Sequence, residues 1–133
     1  MKEWSKSWKS SSKTKKQRKY AAQAPIHVKR KFLGAHLSKE LRSKHATRRL
    51  PLRSGDKVKI MRGSFKGITG SVDRVDLKRS AVYITGIEIT KRDGSKIAPP
   101  IKASNLLITE LNLNDKRRLK KVKKDEKPES SKR

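Results

Sequence analysis

Several residue types are missing or scarce in this sequence of 133 residues. It has no cysteine, which excludes disulfides, thiolate metal sites and cysteine nucleophiles. The apolar stretch without charge around Val82–Ile87 is far shorter than the about 20 apolar residues of a membrane-spanning helix. The first residues also lack the apolar segment of a secretory signal. We therefore expect a cytoplasmic chain without disulfides or membrane insertion.

Acidic residues are scarce as well, with 12 against 38 lysines and arginines, so the formal net charge is +26. Residues 1–50 hold 16 of the basic residues and only two of the acidic ones. Such self-repulsion destabilises a compact monomer, whereas a polyanion releases counterions when its phosphates are neutralised. The charge therefore favours a nucleic acid partner over a merely soluble basic protein. An anionic membrane is disfavoured because no basic segment has a broad apolar helical face.

The middle of the chain has the alternating pattern of short β-strands. Val58 and Ile60 share one face of a predicted strand, while Lys57 and Lys59 share the other. A second alternation runs over residues 68–72, after a basic loop with two glycines. These two strands are predicted to form a hairpin that presents the loop to a partner.

Further strands are predicted up to residue 110. Val82 and Ile84 share a parity that breaks at Gly86, where a bend costs little. The Asp-Gly pair within Lys91–Lys96 predicts a tight hairpin turn, and a last strand contains residues 106–108. Five short strands with parity breaks indicate a small SH3-like barrel. We expect a fragment of residues 54–110 to fold alone.

The shift from basic to alternating sequence divides the chain. Ser38 is a suitable N-cap for a short helix that ends near Lys44. Asn114 can cap a second helix over Asp115–Val122. The prediction is a mainly β fold with four segments: a basic disordered arm at 1–23, a basic extension with a short helix at 24–53, the barrel at 54–110, and a basic helix and tail at 111–133.

The loop between the first two strands is the best candidate for contact with RNA. Gly63 and Gly67 allow the backbone to approach a phosphate closely. Arg62 can donate two hydrogen bonds to phosphate oxygens, and Lys66 adds a point charge. Phe65 could stack on an unpaired base, or it could fold back onto the barrel as in an ordinary hairpin.

Two clusters in the basic extension are further candidates. Basic residues dense enough to follow an RNA backbone occur at Lys29, Arg30 and Lys31 and at Arg48, Arg49 and Arg53. Each single member could instead be a solvated charge. Trp4 and Trp8, in the arm, are unusual for a disordered basic segment and could insert into RNA or against a neighbouring protein.

Catalytic and metal chemistry is not indicated. His27, His36 and His45 are spaced by nine residues, which puts successive histidines on opposite faces of a helix or a strand. The glycines match neither nucleotide-binding pattern, and no Ser/His/Asp arrangement is present. We expect no enzymatic activity, no cofactor, no metal and no small-molecule substrate.

The strand-loop-strand pattern of residues 53–72 resembles the KOW motif, with Gly67 as its central glycine. Residues 24–31 and 37–42 are similar to the N-terminal extension of one KOW family, and Ser104-Asn105 followed by residues 106–108 is similar to its closing strand. That family comprises the large-subunit ribosomal proteins numbered 24 in bacteria and archaea and 26 in eukaryotes. The extension resembles its archaeal and eukaryotic branch, and its archaeal members in particular.

The resemblance implies a specific role. Proteins of this family are structural constituents of the large ribosomal subunit that bind the 5′ domain of its 23S-type rRNA. They act early in subunit assembly and lie beside the exit of the peptide tunnel, next to other large-subunit proteins. The alternative is a non-ribosomal KOW-type nucleic-acid-binding protein associated with chromatin or transcription, since phosphate contacts alone do not distinguish RNA from DNA.

Overall fold

The structure is a computed structural model and describes residues 4–5, 11–115 and 118. Its helices are α1 Thr14–Gln23, α2 Ile26–Phe32, α3 Lys39–His45 and a 3-10 turn at Ala103–Asn105. Its strands are β1 Gly34–Leu37, β2 Arg49–Pro51, β3 Lys57–Ile60, β4 Thr69–Asp76, β5 Ala81–Ile84, β6 Ile89–Thr90, β7 Lys96–Ile97 and β8 Leu106–Glu110. None of the described helices is long and apolar enough to cross a membrane.

Six strands form one mixed sheet in the order β2-β1-β8-β3-β4-β5, and β6 pairs with β7 in a separate ribbon. Neighbouring strands are antiparallel except β1 and β8, which are parallel. Register shifts in the β3–β8 and β4–β5 pairs bend the sheet, as bulges do. The predicted fold class, a mainly β chain with a small SH3-like fold, is confirmed. Within the described residues the barrel does not close, because β2 and β5 remain edge strands.

The hydrophobic core draws on both sides of the predicted boundary at residue 54. Of its 14 buried apolar residues, five come from the segment assigned to the basic extension: Leu33, Ala35, Leu37, Leu50 and Leu52. Strands β1 and β2 place most of them there by alternating buried and exposed positions. Both strands escaped the sequence analysis because each has only three or four residues between basic clusters. The core therefore does not support the expectation that residues 54–110 fold alone.

Helix α1 lies in the segment for which the sequence predicted no fixed structure. Its sequence is rich in good helix formers, mainly lysine, glutamine, arginine and alanine. None of its residues is buried, and no side chain caps its first turn. Aromatic contacts connect it to the neighbouring segments, since the Tyr20 ring centroid lies 5.2 Å from that of Trp4 and 6.4 Å from that of Phe32. Local propensity, rather than burial, thus accounts for this helix.

Helix α3 is capped as predicted. The Ser38 hydroxyl accepts a hydrogen bond from the backbone N–H of Leu41 at 3.3 Å. Glu40 lies in the first turn, where the helix dipole favours an acidic side chain. The Arg42 side chain donates to the carbonyl of Leu37 at 2.9 Å, and Leu41 packs against the core. The sheet therefore supports this helix directly.

A buried ion pair joins the C-terminal segment to the sheet. The two terminal nitrogens of Arg118 each donate to one carboxylate oxygen of Asp56 at 2.6 Å, and both side chains are almost fully buried. The same carboxylate accepts the backbone N–H groups of Arg53 and Asn112, both at 2.9 Å. The Arg118 guanidinium also donates to the carbonyls of Asn112 and Pro51. Both buried charges are therefore matched by a partner and by further hydrogen bonds.

Some predictions concern residues that the structure does not describe. Trp8 lies outside the described residues, as does the helix predicted over Asp115–Val122 apart from Asp115 and Arg118. The division of the chain into four segments stays a prediction.

Candidate nucleic-acid interface

The connection between β3 and β4 is a tightly closed loop. Ile60 and Ile68 close its base, where the Ile60 N–H donates to the Ile68 carbonyl at 2.9 Å. The Gly67 N–H donates to the Ile60 carbonyl at 2.8 Å, and the Lys66 N–H donates to the Gly63 carbonyl at 3.1 Å. Gly63 and Gly67 have φ angles of 93° and 91°, which a residue with a Cβ adopts only with strain. Glycine is therefore needed at both positions for the backbone to follow this path.

The loop presents two uncompensated positive charges. Arg62 and Lys66 are both exposed. Neither forms an ion pair with another residue of the described part of the chain. A rigid backbone that holds two free cations at its tip is suited to binding an anion, because little conformational entropy is lost on contact.

Phe65 folds back onto the sheet, which was the alternative to stacking on an unpaired base. Its side chain is half-buried and packs against the hydrophobic core. The ring therefore supports the loop from beneath. The exposed residues of the loop are Arg62, Lys66, the two glycines and Ser64, with the apolar Met61 and Ile68 at its base.

The basic cluster Lys29, Arg30 and Lys31 forms the last turn of α2. This is where the helix dipole favours positive charge. Arg30 also borders a groove between α2 and β4, and the structure brings Arg53 and Arg74 to the same groove. Arg30 and Arg53, one residue from each predicted cluster, thus line the same groove, although they are more than 20 residues apart in sequence.

The second cluster is divided by the fold. Arg48 and Arg49 are exposed at the start of β2. Arg53 is half-buried and its guanidinium forms an ion pair with Asp115. Because this charge is already matched within the protein, Arg53 is a weaker candidate for phosphate contact than Arg48 and Arg49.

Two exposed residues next to these clusters were not among the predicted contacts. His36 lies directly opposite Arg49 in the β1–β2 pair, and Lys59 lies on the outer side of β3, one strand beyond β8. The alternation of β3 did predict that Lys59 faces outward. Its neighbours could not be predicted, because they depend on the parallel pairing of β1 with β8.

Two acidic residues, Asp76 and Asp93, accept hydrogen bonds within turns. The backbone N–H of Arg79, and after it that of Lys78, donate to the Asp76 carboxylate and hold the pKa of Asp76 below its usual value. The hydroxyl of Ser95 holds the pKa of Asp93 low in the same way. Carboxyl groups that remain ionised in this manner are poor general acids near neutral pH. The described residues also contain no group of three or more side chains that could hold a metal ion.

Comparison with known proteins agrees with these observations. Residues 11–125 match the family described as the ribosomal proteins L26 of eukaryotes and their archaeal counterparts, which carry the number 24. The chain is also similar to the large ribosomal subunit protein uL24 of Methanosarcina barkeri, with 43% identity over 114 residues that cover 86% of this chain and 98% of the relative. The chain thus belongs to the family of ribosomal proteins that comprises eukaryotic L26 and its archaeal counterparts, as its sequence predicted.

Proposed function

We propose that this chain is a structural constituent of the large ribosomal subunit and binds that subunit's rRNA through the β3–β4 loop and the basic clusters of its extension. The observation that carries the proposal is the family match, because it extends over every residue of the loop and of both clusters. The loop adds physical support, since Arg62 and Lys66 are free cations on a closed backbone. As a member of a ribosomal protein family, the chain is located on the ribosome in the cytoplasm.

The mechanism is electrostatic positioning of RNA. The guanidinium of Arg62 can hold two oxygens of one phosphate, and Lys66 supplies a further charge on the same turn. Each phosphate neutralised in this way releases condensed counterions, which makes binding strong at low salt. Contacts of this kind fix the position of RNA helices without reading the base sequence.

The finer role follows from the family resemblance. We infer that the partner is the 5′ domain of the 23S-type rRNA, that binding helps to initiate subunit assembly, and that the protein lies near the exit of the peptide tunnel beside other large-subunit proteins. Physically, a protein with net charge +26 offsets the repulsion between RNA helices that must pack together early in assembly. No part of this role requires catalysis or a cofactor.

Sedimentation of a cell lysate on a sucrose gradient tests the main proposal. The protein is expected to travel with the large subunit and to stay there at moderate salt. Recovery mainly at the top of the gradient from growing cells would contradict the proposal and would favour the alternative of a chromatin- or transcription-associated protein.

The location near the tunnel exit has a separate test. Since the chain has no cysteine, Lys66→Cys creates a single site for a thiol-directed crosslinker. Ribosomes that carry a stalled nascent chain should give a crosslink between this site and a constituent of the tunnel exit. Crosslinks confined to parts of the subunit far from the exit would refute the location and leave the rRNA-binding role intact.

A further inference from the structure

The strand registers place five exposed or half-buried side chains in one line across the sheet. Direct pairing partners in successive strands run from β2 through β1, β8 and β3 to β4. These partners are Arg49, His36, Leu107, Lys59 and Thr69, which we call the cross-strand row. The row combines residues from the basic extension with residues from the KOW hairpin.

All five side chains of the row lie on the outer face of the sheet. On β1, Ala35 and Leu37 are buried on either side of exposed His36. On β3, Val58 and Ile60 are buried on either side of exposed Lys59. Because side chains alternate between the two faces of a strand, the row lies on the face of the sheet opposite to the face that packs into the core.

The row carries positive charge and no acidic residue. Neighbouring strands are about 4.8 Å apart, so Arg49 and Lys59 lie about 14 Å from each other across three strand spacings. Neither forms an ion pair within the described residues. Lys57, two residues before Lys59 on the same face, is different because its ammonium is 2.8 Å from the carboxylate of Glu110. Of the two lysines on this face of β3, only Lys59 therefore has no ionic partner among the described residues.

The row also connects two of the predicted contact regions. At one end, Arg49 belongs to the Arg48–Arg49 cluster. At the other end, Lys59 and Thr69 are paired at the base of the loop that carries Arg62 and Lys66. The sequence separates these regions by more than ten residues, but the sheet joins them by a path of exposed side chains.

We propose that the sugar-phosphate backbone of the rRNA runs along this row, with His36 and Lys59 as contact residues between the Arg48–Arg49 cluster and the β3–β4 loop. This inference rests on the proposed rRNA-binding function and specifies the path of the RNA. The ligand chemistry follows from the side chains: Arg49 and Lys59 bind phosphates, the His36 ring and the Thr69 hydroxyl offer hydrogen bonds, and Leu107 offers apolar surface to a ribose. A protein partner would require acidic side chains placed opposite both cations, whereas an RNA strand supplies an anion at every nucleotide.

Directed cleavage of rRNA tests this path. The absence of cysteine allows a single iron-EDTA tether at each of three positions, in Arg49→Cys, Lys59→Cys and Lys66→Cys, in the full chain bound to large-subunit rRNA. The expected result is that hydroxyl radicals from all three sites cut one continuous region of the RNA, with the cuts from position 59 lying between the other two sets. Lys91→Cys is the matched control, because Lys91 is an exposed lysine at the end of the separate ribbon. Its cuts should fall elsewhere or be absent.

The outcomes distinguish the path from the function. Cuts from positions 49 and 66 without cuts from 59, or with cuts from 59 in an unconnected region, would overturn the proposed path while the rRNA-binding function stands. No cuts from positions 49, 59 and 66, in a complex shown to be intact by filter binding, would overturn the path together with the assignment of the loop and the Arg48–Arg49 cluster as contacts. Failure of the unsubstituted chain to retain large-subunit rRNA in the same filter assay would overturn the function as well.

A second measurement uses affinity. Lys59→Ala should weaken binding to protein-free large-subunit rRNA about 5-fold and reduce the slope of log affinity against log salt by about 1. Lys57→Ala removes the same charge from the same face, but that charge is already paired with Glu110, so a change of less than about 2-fold is expected. Equal effects of the two substitutions would mean that the row has no special role.

Discussion

The β2–β3 junction and the β3–β4 loop use the same residue type in opposite ways. At the junction, Arg118 is buried, held by both oxygens of Asp56 and by two backbone carbonyls. In the loop, Arg62 is exposed and has no ionic partner among the described residues. The difference teaches that net charge alone does not identify the binding surface of a very basic protein. A cation that the fold has already paired stabilises the chain, and a free cation on a rigid backbone is available to RNA.

Truncation of the chain at both ends should have the largest effect on stability. A fragment of residues 54–110 loses five of the 14 core residues as well as Arg118. We expect it to show no cooperative unfolding transition in urea by circular dichroism, whereas a fragment of residues 24–124 keeps one. A cooperative transition of the short fragment would mean that β1 and β2 are accessory to the fold.

Substitution of the buried carboxylate tests the junction itself. Asp56→Ala leaves the Arg118 charge buried without its partner, which is expected to reduce the free energy of unfolding by about 3–5 kcal/mol. Arg118→Met should cost less, because Asp56 keeps the backbone N–H groups of Arg53 and Asn112. The double variant should be no less stable than Asp56→Ala alone, as measured by denaturant unfolding. Strictly additive losses would show that the two side chains do not interact.

Substitution in the loop should have the converse result. Arg62→Ala with Lys66→Ala is expected to weaken rRNA binding about 30-fold, while stability changes by less than about 0.5 kcal/mol. The matched control is Lys91→Ala with Arg92→Ala, which removes the same two charges from the exposed turn of the other hairpin. Filter binding at constant salt measures both. If the control variant weakened rRNA binding as much as the loop variant, the loss of affinity would come from the lower net charge and not from the position of the loop.

Two glycines of the β3–β4 hairpin are required for different reasons, Gly67 for its positive φ angle and Gly70 for its close contact with β5. A Cβ at Gly67 meets nothing within 4 Å, so Gly67→Ala should cost only about 1–2 kcal/mol for its positive φ angle. A Cβ at Gly70 lies 2.6 Å from the Ile84 side chain and 3.0 Å from the Thr85 carbonyl, so Gly70→Ala should cost about 1–3 kcal/mol through overpacking. Only Gly67→Ala should also lower rRNA affinity, because it alone distorts the loop. A loss of affinity in Gly70→Ala of the same size would contradict the assignment of the loop as the contact.

Local signals in the sequence predicted much of the fold and the loop. The alternation of Val58 and Ile60 predicted β3, Ser38 predicted the start of α3, and the Asp93-Gly94 pair predicted the turn between β6 and β7. Each of these features depends on residues close together in sequence. The free cations of the loop were predicted for the same reason.

Features that depend on distant pairing could not be predicted in this way. The parallel pairing of β1 with β8 joins residues about 70 positions apart, and it alone puts His36 in line with Lys59. The ion pair of Asp56 with Arg118 spans 62 positions, and nothing near either residue distinguishes it from a surface charge. The ion pair of Arg53 with Asp115 also spans 62 positions, so nothing in the sequence ranked Arg53 below Arg48 and Arg49 as an RNA contact.

The most direct test of the account is the salt dependence of affinity for protein-free large-subunit rRNA. If free cations of the loop, the row and the clusters neutralise about ten phosphates, log affinity should fall with log salt at a slope between about −7 and −9. A slope shallower than about −2 would show that few phosphates are engaged and would contradict the electrostatic mechanism.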